Sequence, residues 1–208
     1  MPLFYQHNIN EHTRLAIWKI EEPENFFLQH VPLQKEITHP HKRLQHLAGR
    51  YLLTFLFPGF PYDEILIADT RKPYLPYEQY HFSVSHCGNY AAAIVSTNLR
   101  TAIDIEIASE KVLNISHKFL NENEKKFVAQ AVNKLATATI FWAAKESVFK
   151  WWSYGIVDFS KHILLQTAAN ENKGNIEAIF LREPENFSLQ LQYKVFDELC
   201  LVWLCTAE

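Results

Sequence analysis

Cysteine is scarce in this sequence. Cys87, Cys200 and Cys205 are its only three. They are unevenly spaced, with no Cys-x-x-Cys, which argues against a disulfide framework or a zinc knuckle and leaves reduced core thiols as the expectation. Net charge is also small, at −3, so no global field draws the chain to nucleic acid and any basic site must be local. No apolar run approaches the roughly 18 residues of a membrane span. The first residues, Met1-Pro2-Leu3-Phe4-Tyr5-Gln6-His7, lack a basic region followed by an apolar run. No signal peptide is expected, and the cytoplasm is the expected compartment. What the chain has in quantity is apolar surface. It is 48% hydrophobic and 14% aromatic over 208 residues, enough for a sizeable core in one large domain or two small ones, and unlike a disordered chain.

Periodicity predicts the elements. Residues 14–20 read as a first strand, and Pro23 and Pro32 punctuate the segment after it. Residues 41–57 read as a helix, with Leu44, Leu47, Ala48, Tyr51, Leu52 and Phe55 at helical spacing. Its polar positions carry Lys42, Arg43 and Arg50 and no acid. Arg43 and Arg50, seven apart, share a face. That face is either a solvated basic surface or a phosphate site, for which the guanidinium fork is suited. A short strand over 64–68 leads into a stiff connection containing Lys72, Pro73 and Pro76. Residues 81–85, 90–96 and 101–107 alternate like strands, with turn chemistry at 86–89. The strand over 90–96 has small side chains that let a neighbour pack close. Ser85 and His86, at a strand end, are candidate phosphate donors. Asn121 followed by acids marks a helix start, giving a short helix over 123–131. A longer helix over 135–152 carries a core stripe of Phe141, Ala144, Val148 and Trp152. Beside it runs a second stripe of Trp142, Glu146, Phe149 and Lys150. Strands near 161–166, 176–181, 188–196 and 199–205 read as an antiparallel meander, with a hairpin loop over 170–175. Residues 22–29 recur almost intact as 183–190, but their neighbours do not repeat, so the match reads as coincidence.

The six residues from Ala102 to Ile107 are the most informative. On a strand, Ile103, Ile105 and Ile107 face one way, while Asp104 and Glu106 face the other, side by side. Adjacent carboxylates repel, and Asp is a poor strand former. Either the strand has an acidic face in water, or the carboxylates hold a hard cation such as Mg²⁺. Glu146 and Lys150 are open in the same way. They are either a surface i,i+4 ion pair or a third carboxylate and a catalytic cation displayed on a rigid helix. At a larger scale, a long helix followed by antiparallel strands occurs twice, over 41–107 and 135–205. This predicts an α+β protein of two similar halves, with their junction as a natural ligand cleft.

Taken in order, the motifs are Ala48-Gly49-Arg50-Tyr51-Leu52-Leu53, Arg71-Lys72-Pro73-Tyr74, Phe82-Ser83-Val84-Ser85-His86-Cys87-Gly88, Ile103-Asp104-Ile105-Glu106 and Phe141-Trp142-Ala143-Ala144-Lys145-Glu146-Ser147-Val148-Phe149-Lys150. Together they resemble the 4′-phosphopantetheinyl transferases of the larger, surfactin type. The resemblance covers about residues 43–155. It implies two α+β halves related by pseudo-two-fold symmetry, 1–107 on the nucleotide side and 108–208 on the metal and carrier-protein side. It further implies transfer of the phosphopantetheine arm of coenzyme A to a serine of an apo acyl or peptidyl carrier protein, releasing 3′,5′-ADP (a holo-acyl-carrier-protein synthase activity). Carried over position by position, Asp104, Glu106 and Glu146 are the implied ligands of Mg²⁺, with Mn²⁺ as a substitute. Arg50, Lys72, Ser85 and His86 are implied to hold the nucleotide end, chiefly its 3′-phosphate. Lys150 is implied to sit by the pyrophosphate, and Glu146 or a metal-bound water to take the serine proton. Trp142 is assigned to support, and Glu124 aligns with an acid of the family. The partners implied are coenzyme A and a carrier protein, with no nucleic acid and no membrane, for a monomer.

The sequence departs from the family in three places. Ala102 stands where the family has Gly, Lys42 and Arg43 are not spaced as in the family, and a Gly-x-Gly is reduced to Tyr154-Gly155-Ile156. Two other functions compete with transfer. One is a relative that binds coenzyme A or carrier protein without transfer, which should have lost an acid or Lys150; neither is lost. The other is a Mg²⁺-dependent phosphohydrolase, which commonly needs a second acidic cluster that the sequence does not supply in register.

Overall fold

A computed structural model describes residues 2–33, 36–166, 172–182 and 184–207. In chain order the strands are β1 (Leu3–Asn8), β2 (Thr13–Lys19), β3 (Leu66–Ile67), β4 (Pro73–Tyr74), β5 (His81–Cys87), β6 (Tyr90–Ser96), β7 (Arg100–Ile107), β8 (Ile163–Leu165), β9 (Lys173–Arg182), β10 (Glu185–Phe196) and β11 (Leu199–Thr206). The helices are α1 (Glu24–Leu28), α2 (Pro40–Leu56), α3 (Glu110–Ile115), α4 (Glu122–Gln130), α5 (Lys134–Trp152) and α6 (Phe159–His162). The protein is α+β, and every strand pairing with a described register is antiparallel. It divides into two compact units between Ile103 and Asp104.

In the first unit, α2 lies on a four-stranded sheet of order β1-β2-β6-β5. Pro40 opens α2 at the position where its missing N–H costs nothing, and His39 caps it by accepting from the Lys42 N–H. Leu47, Ala48, Leu52, Leu53 and Leu56 of α2 are buried in one cluster with Ala91, Ala93 and Val95 of β6. The small side chains of β6 do admit the helix. The closest approach is at Gly49, where an added Cβ would lie 2.6 Å from Val84 Cγ1 on β5.

In the second unit, a five-stranded sheet has the order β7-β11-β10-β9-β8, and α5 packs on β11. Asn133 caps α5 by accepting from the Ala136 N–H, and Ser153 ends it in the left-handed region with φ 66°. Eleven of the nineteen α5 residues are buried, so this helix is enclosed on most of its circumference instead of showing one apolar stripe. Trp151 is the more buried of its two terminal tryptophans and donates to Thr206 Oγ1 at 2.9 Å. Trp152, expected in the core stripe, is half-buried.

Other expectations shift. Residues 64–68 form only the two-residue β3, preceded by a short 3-10 turn at Tyr62–Glu64. Of the predicted hairpin loop over 170–175, Lys173, Gly174 and Asn175 belong to β9 and pair with Lys194, Tyr193 and Gln192; Asn170 and Glu171 lie outside the described residues. The two near-identical octapeptides diverge. The first contains helix α1, while the second enters strand β10, with Glu183 outside the described residues. Among the described residues none of the three cysteines forms a disulfide.

Gly49→Ala should lower stability by about 1–3 kcal/mol through overpacking, despite the higher helix propensity of alanine. Urea melts of Gly49→Ala, Val84→Ala and the double variant should show part of the loss recovered in the double variant.

Candidate active site

In the second unit, β7 offers Asp104 and Glu106, and α5 offers Trp142, Glu146 and Lys150 at successive helical turns. The strand does not turn an acidic face to water. Asp104 is 3% exposed, and Ala102 on the same face is fully buried. Ala102 therefore fits where the family has glycine. Lys150 does not form the i,i+4 pair with Glu146 that spacing allows. Its ammonium reaches β7 and donates to Asp104 Oδ1 at 2.7 Å. Two turns earlier, Trp142 Nε1 donates to Glu106 Oε1 at 3.0 Å. The helix thus grips both strand carboxylates, and Glu146 lies between the two gripping residues in sequence.

The charges in this cluster do not balance. Burial pushes Glu106 up to about 7, and the Asp104 charge adds to it, against the Trp142 hydrogen bond and the charges of Lys150 and Lys111. Burial also pushes Glu146 up to about 7, with Asp104 and Glu106 adding to it and Lys150 opposing. Asp104 Oδ2 is buried without a hydrogen-bond donor. Three carboxylates and one close ammonium form an oxygen-rich, electron-rich set of the kind that suits a hard divalent cation. Among the described residues, no three His, Cys, Asp or Glu side chains are gathered at ligating separation, since Asp104 and Glu106 are turned to Lys150 and Trp142. The donor set fits Mg²⁺ in its chemistry.

Beside Glu146, Lys145 points the other way and is fully buried. Its Nζ donates to Glu124 Oε2 at 2.8 Å, Phe159 O at 2.9 Å and Ile163 O at 2.6 Å, so its three protons meet three acceptors. Burial lowers its pKa and Glu124 opposes that. Glu124 also accepts from the Asn121 N–H in a capping box and from the Leu165 N–H. The family acid at Glu124 is therefore the anchor of a buried clamp joining α4, α5, α6 and β8. Sequence spacing gave no sign of this pair, because its members lie on different helices. Trp142 meets Phe119 edge-on and Phe159 at a tilt, with ring centres 5.0 and 5.7 Å away. These rings, with Ile115 and Ile156, line a cavity of about 400 Å³.

In the first unit the cations separate into two kinds. Arg43 is structural: its Nε donates to Glu24 at 2.8 Å and its Nη1 to Ile37 O at 3.0 Å. Lys42 is exposed. Arg50 is 8% exposed, and its Nη1 is buried without an acceptor. Burial pushes its pKa down, and the opposing influence comes from Tyr62, which is no carboxylate. A guanidinium in that state calls for an anion. The Gly49–Val84 contact makes Arg50 and Ser85 the next residues along their elements. Ser85 is buried and His86 exposed. Lys72 lies in the β3–β4 connection, with its pKa lowered to about 8 by burial and by the charge of Arg100.

Residues 100–202 match the family model described as the 4′-phosphopantetheinyl transferase superfamily. Over 202 residues the chain is 27% identical to enterobactin synthase component D of Escherichia coli K12, and 26% identical to its counterpart in Shigella flexneri. Each match covers 88% of this chain and 89% of the relative. It is 30% identical over 108 residues to the 4′-phosphopantetheinyl transferase gsp of Aneurinibacillus migulanus, covering 50% of this chain and 44% of that protein.

Two outcomes are expected of this unit. Lys145→Met leaves Glu124 buried without its cation and should cost about 3–5 kcal/mol in urea unfolding. The second concerns pH. A carboxyl whose folded-state pKa is raised contributes stability that is complete below its unfolded value and is lost as pH rises through about 7. In EDTA, Glu146→Gln should therefore gain on the wild type between pH 4.5 and 7. It should then hold a constant advantage of about 1–3 kcal/mol above pH 7, read from urea midpoints across that range.

Proposed function

Since the chain belongs to the 4′-phosphopantetheinyl transferase superfamily, and is a transferase of that class, we propose that it moves the phosphopantetheine arm of coenzyme A onto a serine of an apo acyl or peptidyl carrier protein, with Mg²⁺, in the cytoplasm and as a monomer. No described helix is long and apolar enough to cross a membrane. The observation that carries the proposal is a pair of charge imbalances. Among the described residues, the first unit buries a guanidinium with no carboxylate against it, and the second holds three carboxylates around the Lys150 ammonium. Taken separately, the first suits a phosphate and the second a divalent ion.

The roles follow from the chemistry. Arg50, Ser85 and His86 hold the 3′-phosphate by charge and hydrogen bonding, and Lys72 adds a cation to the nucleotide end. Asp104, Glu106 and Glu146 are the carboxylates that would hold the ion. When bound, it neutralises charge on the phosphates. The serine Oγ attacks the phosphorus that bears the pantetheine, the P–O bond to the nucleotide breaks, and 3′,5′-ADP leaves. Glu146, or a water held by the ion, would accept the serine proton. Lys150 would balance charge on the leaving phosphate. Trp142 orients Glu106.

The test is the intact mass of an apo carrier protein after incubation with coenzyme A, Mg²⁺ and this protein. The expected gain is one phosphopantetheine arm, abolished by EDTA. Glu146→Gln and Lys150→Met should each lose about 10²-fold or more in kcat. Arg50→Met should raise KM for coenzyme A by about tenfold or more, with a smaller effect on kcat. No gain with any of several acyl and peptidyl carriers would overturn the proposal.

A further inference from the structure

Helix α2 serves the anion-binding side with more than Arg50. Two of its side chains, one turn apart, converge on a single carbonyl. Gln45 Nε2 donates to Gly88 O at 2.8 Å, and His41 Nε2 lies 3.0 Å from the same oxygen, placed to donate. Gly88 is the first residue of the two-residue turn between β5 and β6. Its φ of +48° is one that glycine adopts without strain, and glycine in that place suits a tight hairpin. The other turn carbonyl, Asn89 O, accepts from the Ile20 N–H at 2.8 Å. The turn directly follows Ser85, His86 and Cys87.

A hairpin already zipped along seven residue pairs does not need a buried amide to keep its fold. Yet Gln45 is 6% exposed and is directed at the tip. Four residues along the helix, Gly49 meets Val84 at the closest helix–strand approach in this unit among the glycines described. α2 is therefore joined to the hairpin at two points, Gly49 on Val84 and Gln45 on Gly88, and these bracket Ser85 and His86 in sequence. Arg50 follows the first point on the helix side.

We propose that Gln45, assisted by His41, is a positioning residue for the 3′-phosphate. It fixes the hairpin tip on α2 so that Ser85 and His86 keep their spacing from Arg50. Without Gln45, the ladder and the Asn89 O–Ile20 bond stay formed, and the hydrogen bonding of the tip to α2 falls to the exposed His41. The assignment rests on the transferase reading for the identity of the anion.

Calorimetric titrations of coenzyme A and 3′-dephospho-coenzyme A into the wild type, Gln45→Met and His41→Phe test it. The wild type should prefer coenzyme A. Gln45→Met should lose about threefold to tenfold in affinity for coenzyme A and little for the dephospho form, in line with one part-buried hydrogen bond. The exposed His41→Phe should lose about twofold to threefold, again for coenzyme A alone. Equal weakening of both ligands, or unchanged discrimination in both variants, would overturn the assignment, as would a wild type that does not distinguish the two ligands. A wild type that distinguishes them but transfers nothing in the mass assay would sink the transferase reading and leave the positioning role standing.

Discussion

The buried ion pair between Lys145 and Glu124 is the interaction on which the second unit turns. Taking an ammonium and a carboxylate out of water costs several kcal/mol each and is sustained only when the remaining protons and lone pairs are used. Here they are: Lys145 has three acceptors, and Glu124 takes two backbone N–H groups besides the ammonium. Such a pair adds little net stability over a well-packed apolar alternative. It does impose a single arrangement, because any shift of α4, α6 or β8 against α5 strands a charge. Its neighbour in sequence is Glu146, so the rotation of α5 that satisfies Lys145 also decides where Glu146 points.

The rest of the site shows the opposite condition. In the second unit, Asp104, Glu106 and Glu146 press on one another in a poorly solvated place; in the first, Arg50 sits buried with no carboxylate against it among the described residues. A protein stabilised for its own sake would neutralise these groups. Lys150 and Trp142 satisfy the strand carboxylates only in part, and charge left unmet in a buried cluster is the mark of a site built for a ligand.

Much of this was legible in the sequence. Helical spacing gave α2 and α5 to within a residue or two, and strand alternation gave β6 at its full extent. The acidic strand and the Glu146–Lys150 stripe were visible as patterns whose meaning stayed open. Burial of Asp104 removes the solvated reading, since a wet face cannot be 3% exposed. What sequence could not show were contacts that cross elements. Lys150 bonds Asp104 on β7, Arg43 is taken up by Glu24, and Lys145 pairs with Glu124 from another helix. The repeated octapeptide is the plainest case: nearly the same residues enter α1 in one setting and β10 in the other, because tertiary surroundings override weak local preference.

The alternation on β7 has a consequence for folding. Because strand side chains change face at every residue, pairing β7 one position out of register would carry Asp104 and Glu106 into the place of Ile103 and Ile105. It would also strip Asp104 of Lys150 and Glu106 of Trp142. The isoleucines alone would resist such a slip, but with the acids between them the misaligned strand buries two unpartnered carboxylates. The residues assigned to the chemistry therefore also act as a check on strand registration, and assembly of the five-stranded sheet has one alignment for its first strand.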